Sequence, residues 1–266
     1  MNTMSEAESI ENYILQRYDE LCNWQEVGSY YGDSDFLNFG YWTKDTRDQK
    51  EACENLMAQL LAYIPDSSGN ILDVACGKGE TSAYLSRTYP AGSITAINIS
   101  ENQLVFARKN APGVNFQIMS ATDLAFDDNS FDNIICVEAA FHFYTREDFF
   151  REALRVLKPG GRLVLCDVLM TLEAERRRES RTEKNYLPDL QSYSELMERV
   201  GYQNVDIEDI TEQSWRQHYW YAVKYFHAQF LEGRITEDVL IARLKPTYSR
   251  VPDMLYYLKG AGQKPV

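Results

Sequence analysis

Positive charge is scarce in this chain. Its 266 residues carry 27 Lys and Arg against 40 Asp and Glu, a formal net charge of −13. Such a field repels a phosphate backbone, which argues against nucleic acid and anionic membrane surfaces as partners. Cysteine is equally sparse: Cys22, Cys53, Cys76, Cys136 and Cys166 form an odd set with no CxxC spacing. Neither a structural zinc nor a disulfide framework is expected, no other metal site is visible, and a reducing cytoplasm suits the thiols best. Long apolar runs are missing too, so no stretch reaches the length of a membrane span. The first residues, "MNTMSEAESIENY", lack the basic and apolar regions of a signal peptide. There is no internal repeat and no low-complexity segment. What the chain does have is 44% hydrophobic residues, enough to bury a core. Its length allows one large α/β domain with insertions or two smaller ones.

Between 71 and 169 the pattern alternates strand and helix. Strands are expected at 71–75, 94–98, 115–119, 131–140 and 162–170, with helices at 80–89, 101–110 and 146–157. "KPGG" (158–161) ends the last of these helices, because Gly accepts a left-handed cap and Pro cannot continue a helix. Continuous apolar strands between amphipathic helices imply a parallel sheet covered on both faces. The flanks differ. Residues 8–24 place Ile10, Tyr13, Ile14, Tyr18, Leu21 and Trp24 at helical spacing, followed by the aromatic loop "YYGDSDFLNFGYW" (30–42) and a helix at 49–64. Beyond the core come a charged helical stretch at 171–185, a helix at 192–200 and a strand at 205–210. A second aromatic helix is expected at 212–232, with Trp215, Tyr219, Ala222, Phe226 and Phe230 on one face, and a last strand at 255–260.

"ILDVACGKGE" (71–80) carries the first chemical signal. A strand running into Gly-x-Gly and then a helix lets a ligand approach the backbone closely. At the carboxyl edge of a parallel sheet, that suits a nucleoside cofactor. The dinucleotide pattern G-x-G-x-x-G/A is broken by Ser82, and Glu80 would repel a pyrophosphate at the helix start. No GK[ST] follows, so a phosphate-binding loop is excluded as well. An adenosine cofactor without phosphates remains. Asp73, inside an apolar strand, needs either backbone amides or a cationic ligand group to offset its burial.

These motifs, taken in order, resemble the class I S-adenosylmethionine (SAM)-dependent methyltransferases. The resemblance covers about a hundred residues. It implies a Rossmann-like, mostly parallel seven-stranded sheet with helices on both faces, plus helical lid segments at both ends. The lids would be 1–50 and 171–266, the latter with the last strands of the sheet, around a SAM-binding core at 51–170. It implies that Asp73, Ala75, Cys76, Gly77 and Gly79 hold the methionine end of SAM. Asn98 stands where the family usually has an acid for the ribose hydroxyls, so that grip would be weaker or shared with Gln103, with Ile99 beside it among the cofactor-binding residues. Thr122, Asp123 and Leu124, in "SATDLAF", would border the adenine, and Val137 ends the fourth strand beside the cofactor. "NFGYW" (38–42) resembles the small-molecule branch, which includes natural-product and sugar O-methyltransferases, tocopherol-type C-methyltransferases and cyclopropane synthases. In that branch Tyr41 and Trp42 would cover the SAM carboxylate and the substrate mouth.

Methyl transfer to a hydroxyl needs alignment, exclusion of water and removal of a proton. His142, just past the fourth strand, is the first candidate base, since histidine titrates near neutrality. By the same resemblance Asp167 is a second, and Glu138 is a third because it could face the methyl group. The expected reaction is O-methylation of a small secondary metabolite, apolar or aromatic with a hydroxyl. C- or N-methylation and a non-catalytic SAM-binding role are the alternatives. The run Arg176–Arg178 with Arg181 and Lys184 reads as a solvated helix face or as recognition of an anionic substrate. A homo-oligomer is compatible with the sequence but not specified by it.

Overall fold

Seven strands make one sheet: β1 (Ile71–Val74), β2 (Ile94–Asn98), β3 (Asn115–Ile118), β4 (Phe131–Val137), β5 (Leu157–Met170), β6 (Gln203–Asp209) and β7 (Met254–Gln263). Their order is β3-β2-β1-β4-β5-β7-β6, parallel except that β7 runs against both β5 and β6. The computed structural model describes residues 5–22, 29–179 and 182–266. The helices are α1 (Glu6–Cys22), α2 (Gln49–Leu61), α3 (Glu80–Leu85), α4 (Glu101–Asn110), α5 (Arg146–Val156), α6 (Leu172–Arg177), α7 (Leu190–Val200), α8 (Gln217–Leu231) and α9 (Glu237–Ser249). The fold is the expected α/β Rossmann-like arrangement. Among the described residues no helix is long and apolar enough to cross a membrane.

Both faces of the sheet are covered, which explains why its strands read as apolar runs rather than as an alternation. Leu72, Val74, Ile134, Cys136 and Leu165 pack on one side with Phe149, Phe150 and Tyr193. Ile71, Ile135, Val164 and Cys166 pack on the other with Leu56, Met57 and Leu60 of α2. Cys53, Cys76, Cys136 and Cys166 are all buried and unbridged, and burial pushes each thiol above its ordinary pKa. Local side chains set the helix starts. Ser100, Thr145 and Asp189 each accept a hydrogen bond from the backbone amide three residues on, at the starts of α4, α5 and α7.

The flanks depart from the sequence pattern. Among its described residues the 171–185 stretch holds only α6 and a 3₁₀ turn at Glu183–Asn185. The aromatic helix opens with a π turn at Glu212–Arg216, and its stripe is buried at Trp215 and Ala222 but exposed at Phe230. Helix α9 is not legible in the sequence. It buries only Leu240 and Leu244 and contains Pro246, so its periodicity is weak. Strand β5 begins at Leu157, ahead of the expected 162, because Leu157 already pairs with Phe131. Trp24 and Arg181 lie outside the described residues.

Asp167 is the main correction. Instead of facing a ligand as a base, its carboxylate is fully buried and meets Arg146 Nε at 2.7 Å. Oδ2 also accepts from the Tyr193 hydroxyl at 3.0 Å, and Oδ1 accepts from the backbone amides of Phe141 (3.0 Å) and Val168 (2.8 Å). Four donors saturate it and leave it no access to solvent or substrate. Replacing Asp167 with Asn strands the Arg146 charge, and breaking such a buried pair costs about 3–5 kcal/mol. Urea unfolding should show that loss in a cofactor-free sample. A change below about 1 kcal/mol, the value of an exposed pair, would deny the structural role.

Candidate active site

In an open parallel sheet the ligand cleft lies where strand order reverses, beyond the carboxyl ends of the strands. Here that point falls between β1 and β4, which pair with each other and run outward to β2 and β5. A cavity of about 1100 Å³, its mouth included, sits there. The two strand ends that border it are strained. Ala75 (φ 58°) and Glu138 (φ 53°) are both left-handed non-glycine residues, a conformation that persists only where surrounding contacts impose it.

The two glycines serve different purposes. A Cβ on Gly79 (φ 87°) would meet the Ala107 backbone at 2.7 Å, so this glycine lets α3 pack against α4. A Cβ on Gly77 (φ 55°) would have only Gln103 Oε1 nearby, at 3.7 Å, and Gly77 lines the cavity. Gly77 therefore leaves backbone accessible to a ligand. Behind the turn, Asp73 is buried with Oδ2 accepting from Ser82 Oγ at 2.6 Å, while Oδ1 has no partner. Burial raises its pKa to about 7, against the lowering effect of Ser82. An orphaned carboxylate oxygen of this kind fits a cofactor with a cationic amino acid end.

The Asn98 departure has a structural reason. Its Nδ2 donates to the Gly77 carbonyl at 3.3 Å and to Gln103 Oε1 at 3.0 Å. An aspartate could do neither, so the amide ties the end of β2 to the glycine turn and to α4. Asn98, Ile99 and Gln103 all line the cavity, as do Ala75, Cys76, Thr122 and Val137. Asp123 is exposed and outside the lining, and Leu124 points into the hydrophobic core with its amide on Glu152. Met119, Ser120 and Ala121 occupy that wall instead.

The aromatic pair is also misplaced by sequence reasoning. Tyr41 lies away from the cavity with Lys259 Nζ 5.9 Å from its ring, and Trp42 packs on Tyr221 with its indole N–H on the Phe39 carbonyl. The same loop instead contributes Phe36, Leu37 and Asn38 to the lining. Asp35 pins that loop, accepting from Lys78 Nζ at 3.0 Å and from Asn110 Nδ2 at 2.8 Å, while Glu80 accepts from its amide at 2.9 Å. Glu80, expected only to repel phosphate, thus helps to hold the loop over the turn.

Helix α1 supplies a wall that no motif announced. Glu11, Ile14, Leu15 and Tyr18 face the cavity. Asp19 accepts from Ser100 Oγ at 2.5 Å and Asn102 Nδ2 at 2.6 Å, and Glu11 accepts from Ser120. The signal available in the sequence was the helical spacing of Ile14 and Tyr18, which gives a helix but not its dock.

Glu138 and His142 both line the cavity and are half-buried. Glu138 Oε2 accepts from Tyr257 OH at 2.7 Å and from the Phe39 amide at 2.9 Å. Burial outweighs those bonds, and the nearby Asp167 charge adds to it, so the Glu138 pKa rises to about 8. His142 is held at both ring nitrogens, with Arg178 Nη2 3.1 Å from Nδ1 and Tyr18 OH 2.9 Å from Nε2. A guanidinium can only donate, so Nδ1 accepts and Nε2 carries the proton toward Tyr18. Burial and the neighbouring arginines keep the ring neutral, with its pKa well below the usual value. In this arrangement His142 has no nitrogen available to take a substrate proton. Of the basic run, Arg177 pairs with Glu173 and Asp253, and Lys184 donates to Tyr144 OH. Among the described residues no cluster of side chains could hold a metal ion.

Comparison with known proteins agrees with this geometry. Residues 72–165, from β1 into β5, match the methyltransferase domain family. Methyltransferase GfsG of Streptomyces halstedii is 31% identical over 216 residues, 71% of this chain and 77% of that protein. The 27-O-demethylrifamycin SV methyltransferase of Amycolatopsis mediterranei is 31% identical over 196 residues, 67% and 72% of the two chains. Among solved structures the cyclase SpnF shares the fold, with a TM-score of 0.73 at 23% identity over 96% of both chains. The chain belongs to the class I SAM-dependent methyltransferases, an enzyme of that class acting on a small molecule with SAM as its cofactor.

Asp73 gives this assignment a direct check. Folded Asp73 keeps its proton up to about pH 7, whereas an unfolded aspartate releases it near pH 4. The folded state therefore binds more protons in that window, and stability falls as pH rises through it. Asp73→Asn should flatten this fall in melting temperature. It should also weaken S-adenosylhomocysteine binding about 10–100-fold, the worth of a charged hydrogen bond. Unchanged affinity in calorimetry would remove Asp73 from the cofactor site.

Proposed function

We propose that the protein transfers the methyl group of SAM to a hydroxyl of a small secondary metabolite, with Glu138 as the proton acceptor. The carrying observation is Glu138 itself: a cavity-lining carboxylate, anchored through one oxygen and holding its pKa at about 8. A general base works best when its pKa lies near the working pH. An oxygen acceptor is supported by the second relative, whose name places its methyl group on oxygen.

SAM, when bound, supplies an electrophilic methyl group on a sulfonium. The Gly77 turn, Asn98, Gln103 and Thr122 would hold it, with Asp73 satisfying its amino end from beneath. Glu138 takes the hydroxyl proton at its carboxylate while Tyr257 and the Phe39 amide fix its orientation. His142 positions Tyr18 through its Nε2–H, and Arg178 fixes the histidine tautomer. Helix α1 and the 30–42 loop exclude water above them. Residues 1–50 and 171–266 thus act as lids around the 51–170 core, and the acceptor lies between the lids, against apolar and aromatic side chains.

With Glu138 as base, kcat/KM rises with pH and levels off above about 8, because only the ionised form accepts a proton. Glu138→Gln should abolish that limb and lower kcat by about 10²–10⁴-fold. His142→Ala should keep the limb. Both are measured with SAM and a panel of hydroxylated aromatics and glycosides, with methylated product read by mass spectrometry. An E138Q enzyme with wild-type kcat and an unchanged limb would remove Glu138 from the proton transfer.

A further inference from the structure

Adenine carries an exocyclic amino group, a donor that needs an acceptor once it leaves water. Asp123, expected beside the adenine, is exposed and lies outside the cavity lining. The wall after β3 is made instead by Met119, Ser120, Ala121 and Thr122. It starts where β2 ends, because the Met119 amide donates to the Asn98 carbonyl at 3.0 Å. Ile99, Met119 and Ala121 give this end of the cavity apolar surface for a purine ring. The hydroxyls of the wall are committed. Ser120 Oγ donates to Glu11 Oε1, so the bond between Ser120 Oγ and Thr122 Oγ1, at 3.1 Å, is donated by Thr122. Ser120 Oγ also accepts from the Thr122 amide at 3.3 Å. Its one proton and two lone pairs are then used, and Ser120 is closed to a ligand.

Glu11 is open. It faces the cavity from α1 together with Ile14, Leu15 and Tyr18, the i, i+3, i+4, i+7 spacing that puts residues on one side of a helix. Glu6 and Asp19 pin the helix on either side of it, through Tyr144 OH at 3.1 Å and Asn102 Nδ2 at 2.6 Å. Among the described residues, Glu11 Oε1 takes the Ser120 proton and Oε2 makes no hydrogen bond or ion pair. The other carboxyl groups along the cavity stand elsewhere. Asp35 is bound to Lys78 Nζ and Asn110 Nδ2, Glu80 to the Asp35 amide, and Glu138 directly follows β4. Glu11 is thus the carboxylate of the wall after β3. An ionised acceptor makes a stronger hydrogen bond than a neutral one, which favours Glu11 over the Thr122 hydroxyl.

We infer that Glu11, fixed on Ser120, accepts a hydrogen bond from the 6-amino group of the SAM adenine through its free Oε2. This rests on the cleft being the SAM site, and it gives Glu11 the part that the sequence suggested for Asp123. The contact comes from a lid rather than from the sheet. A cofactor held this way bridges α1 and the loop after β3, so it helps to seat the wall against which the acceptor then lies. The amino group of the purine, and not the ring alone, becomes a condition of tight binding.

The test is calorimetry on the full chain with S-adenosylhomocysteine and with its counterpart whose purine lacks the 6-amino group. The wild type should prefer S-adenosylhomocysteine about 10–100-fold, the worth of a hydrogen bond to a charged group. Glu11→Ala should bring the two affinities within about threefold of each other by weakening S-adenosylhomocysteine alone. Glu11→Gln keeps an acceptor oxygen without the charge and should show an intermediate preference. A helix contact with no part in recognition weakens both ligands by one factor and leaves the preference intact. That result in Glu11→Ala overturns the proposal, as does equal binding of the two ligands by the wild type. Amide exchange across Glu6–Cys22 should slow more with S-adenosylhomocysteine than with its counterpart, and equal slowing counts against the contact. Should Glu11→Ala fail to fold, the preference of Glu11→Gln decides, because an undiminished value there excludes the carboxylate. Absence of S-adenosylhomocysteine binding in the wild type would instead strike the methyltransferase reading itself.

Discussion

The buried pair of Arg146 and Asp167 holds the reacting end of this enzyme in shape. Asp167 receives the Phe141 amide through Oδ1, which fixes the 3₁₀ turn Ala140–His142 directly after Glu138. Arg146 binds the carbonyls of Asn185 and Val168 at 2.6 and 2.8 Å and takes the Asn185 side chain on its own amide. One ion pair thereby joins the end of β4, the end of β5, the start of α5 and the 183–185 turn. Its desolvation cost is large, and only the full set of surrounding bonds offsets it. What the pair provides in return is position. Glu138 and His142 are fixed by a network in which neither takes a substrate-facing bond.

That network also explains what the sequence could and could not say. The strands, the glycine turn and most of the cofactor-facing residues are legible because their reasons are local. Gly77 and Gly79 must be glycine for backbone geometry, and the order of apolar strands fixes the switch point where the cleft forms. Asp167 is not local. A carboxylate at the end of β5 looks the same in sequence whether it faces a ligand or an arginine, and its arginine lies 21 residues away. Leu124, Tyr41 and Trp42 fail for a related reason. Each lies in a loop next to residues that do line the cavity, and a turn of the chain by one or two positions decides which side chain faces inward. Asn98 shows the converse. Its departure from the usual acid suggested weakness, yet the amide makes a bond to the Gly77 carbonyl that an acid would forbid.

Helix α1 is the second half of the cavity, and its attachment is of a different kind. Its anchors are carboxylates, Glu6, Glu11 and Asp19, set on the hydroxyls of Tyr144, Ser120 and Ser100 from the loops after β4, β3 and β2. Its apolar contribution is small, with Ile10 and Ile14 as its buried hydrophobic side chains among the described residues. Polar bonds of this sort exchange readily with water and contribute about 0.5–1.5 kcal/mol each. The core, by contrast, is close-packed on both sheet faces. A substrate entering between α1 and the sheet therefore works against a few exchangeable bonds and leaves the hydrophobic framework intact.

Charge adds a further constraint on what can enter. The whole chain is strongly acidic, so an anion approaching from far away meets repulsion rather than steering. Beyond about 8 Å at physiological salt that field is screened, and local groups dominate. Along the cavity those local groups include the carboxyl groups of Glu11, Asp35, Glu80 and Glu138, and Glu138 holds its proton up to about pH 8. Ionising Glu138 adds a negative charge to that lining, as the proposed base role requires. Burial and the Asp167 charge outweigh the bonds from Tyr257 and Phe39 and the charge of Arg250, so any proton taken up by Glu138 is drawn in by the same desolvation that shapes the cavity.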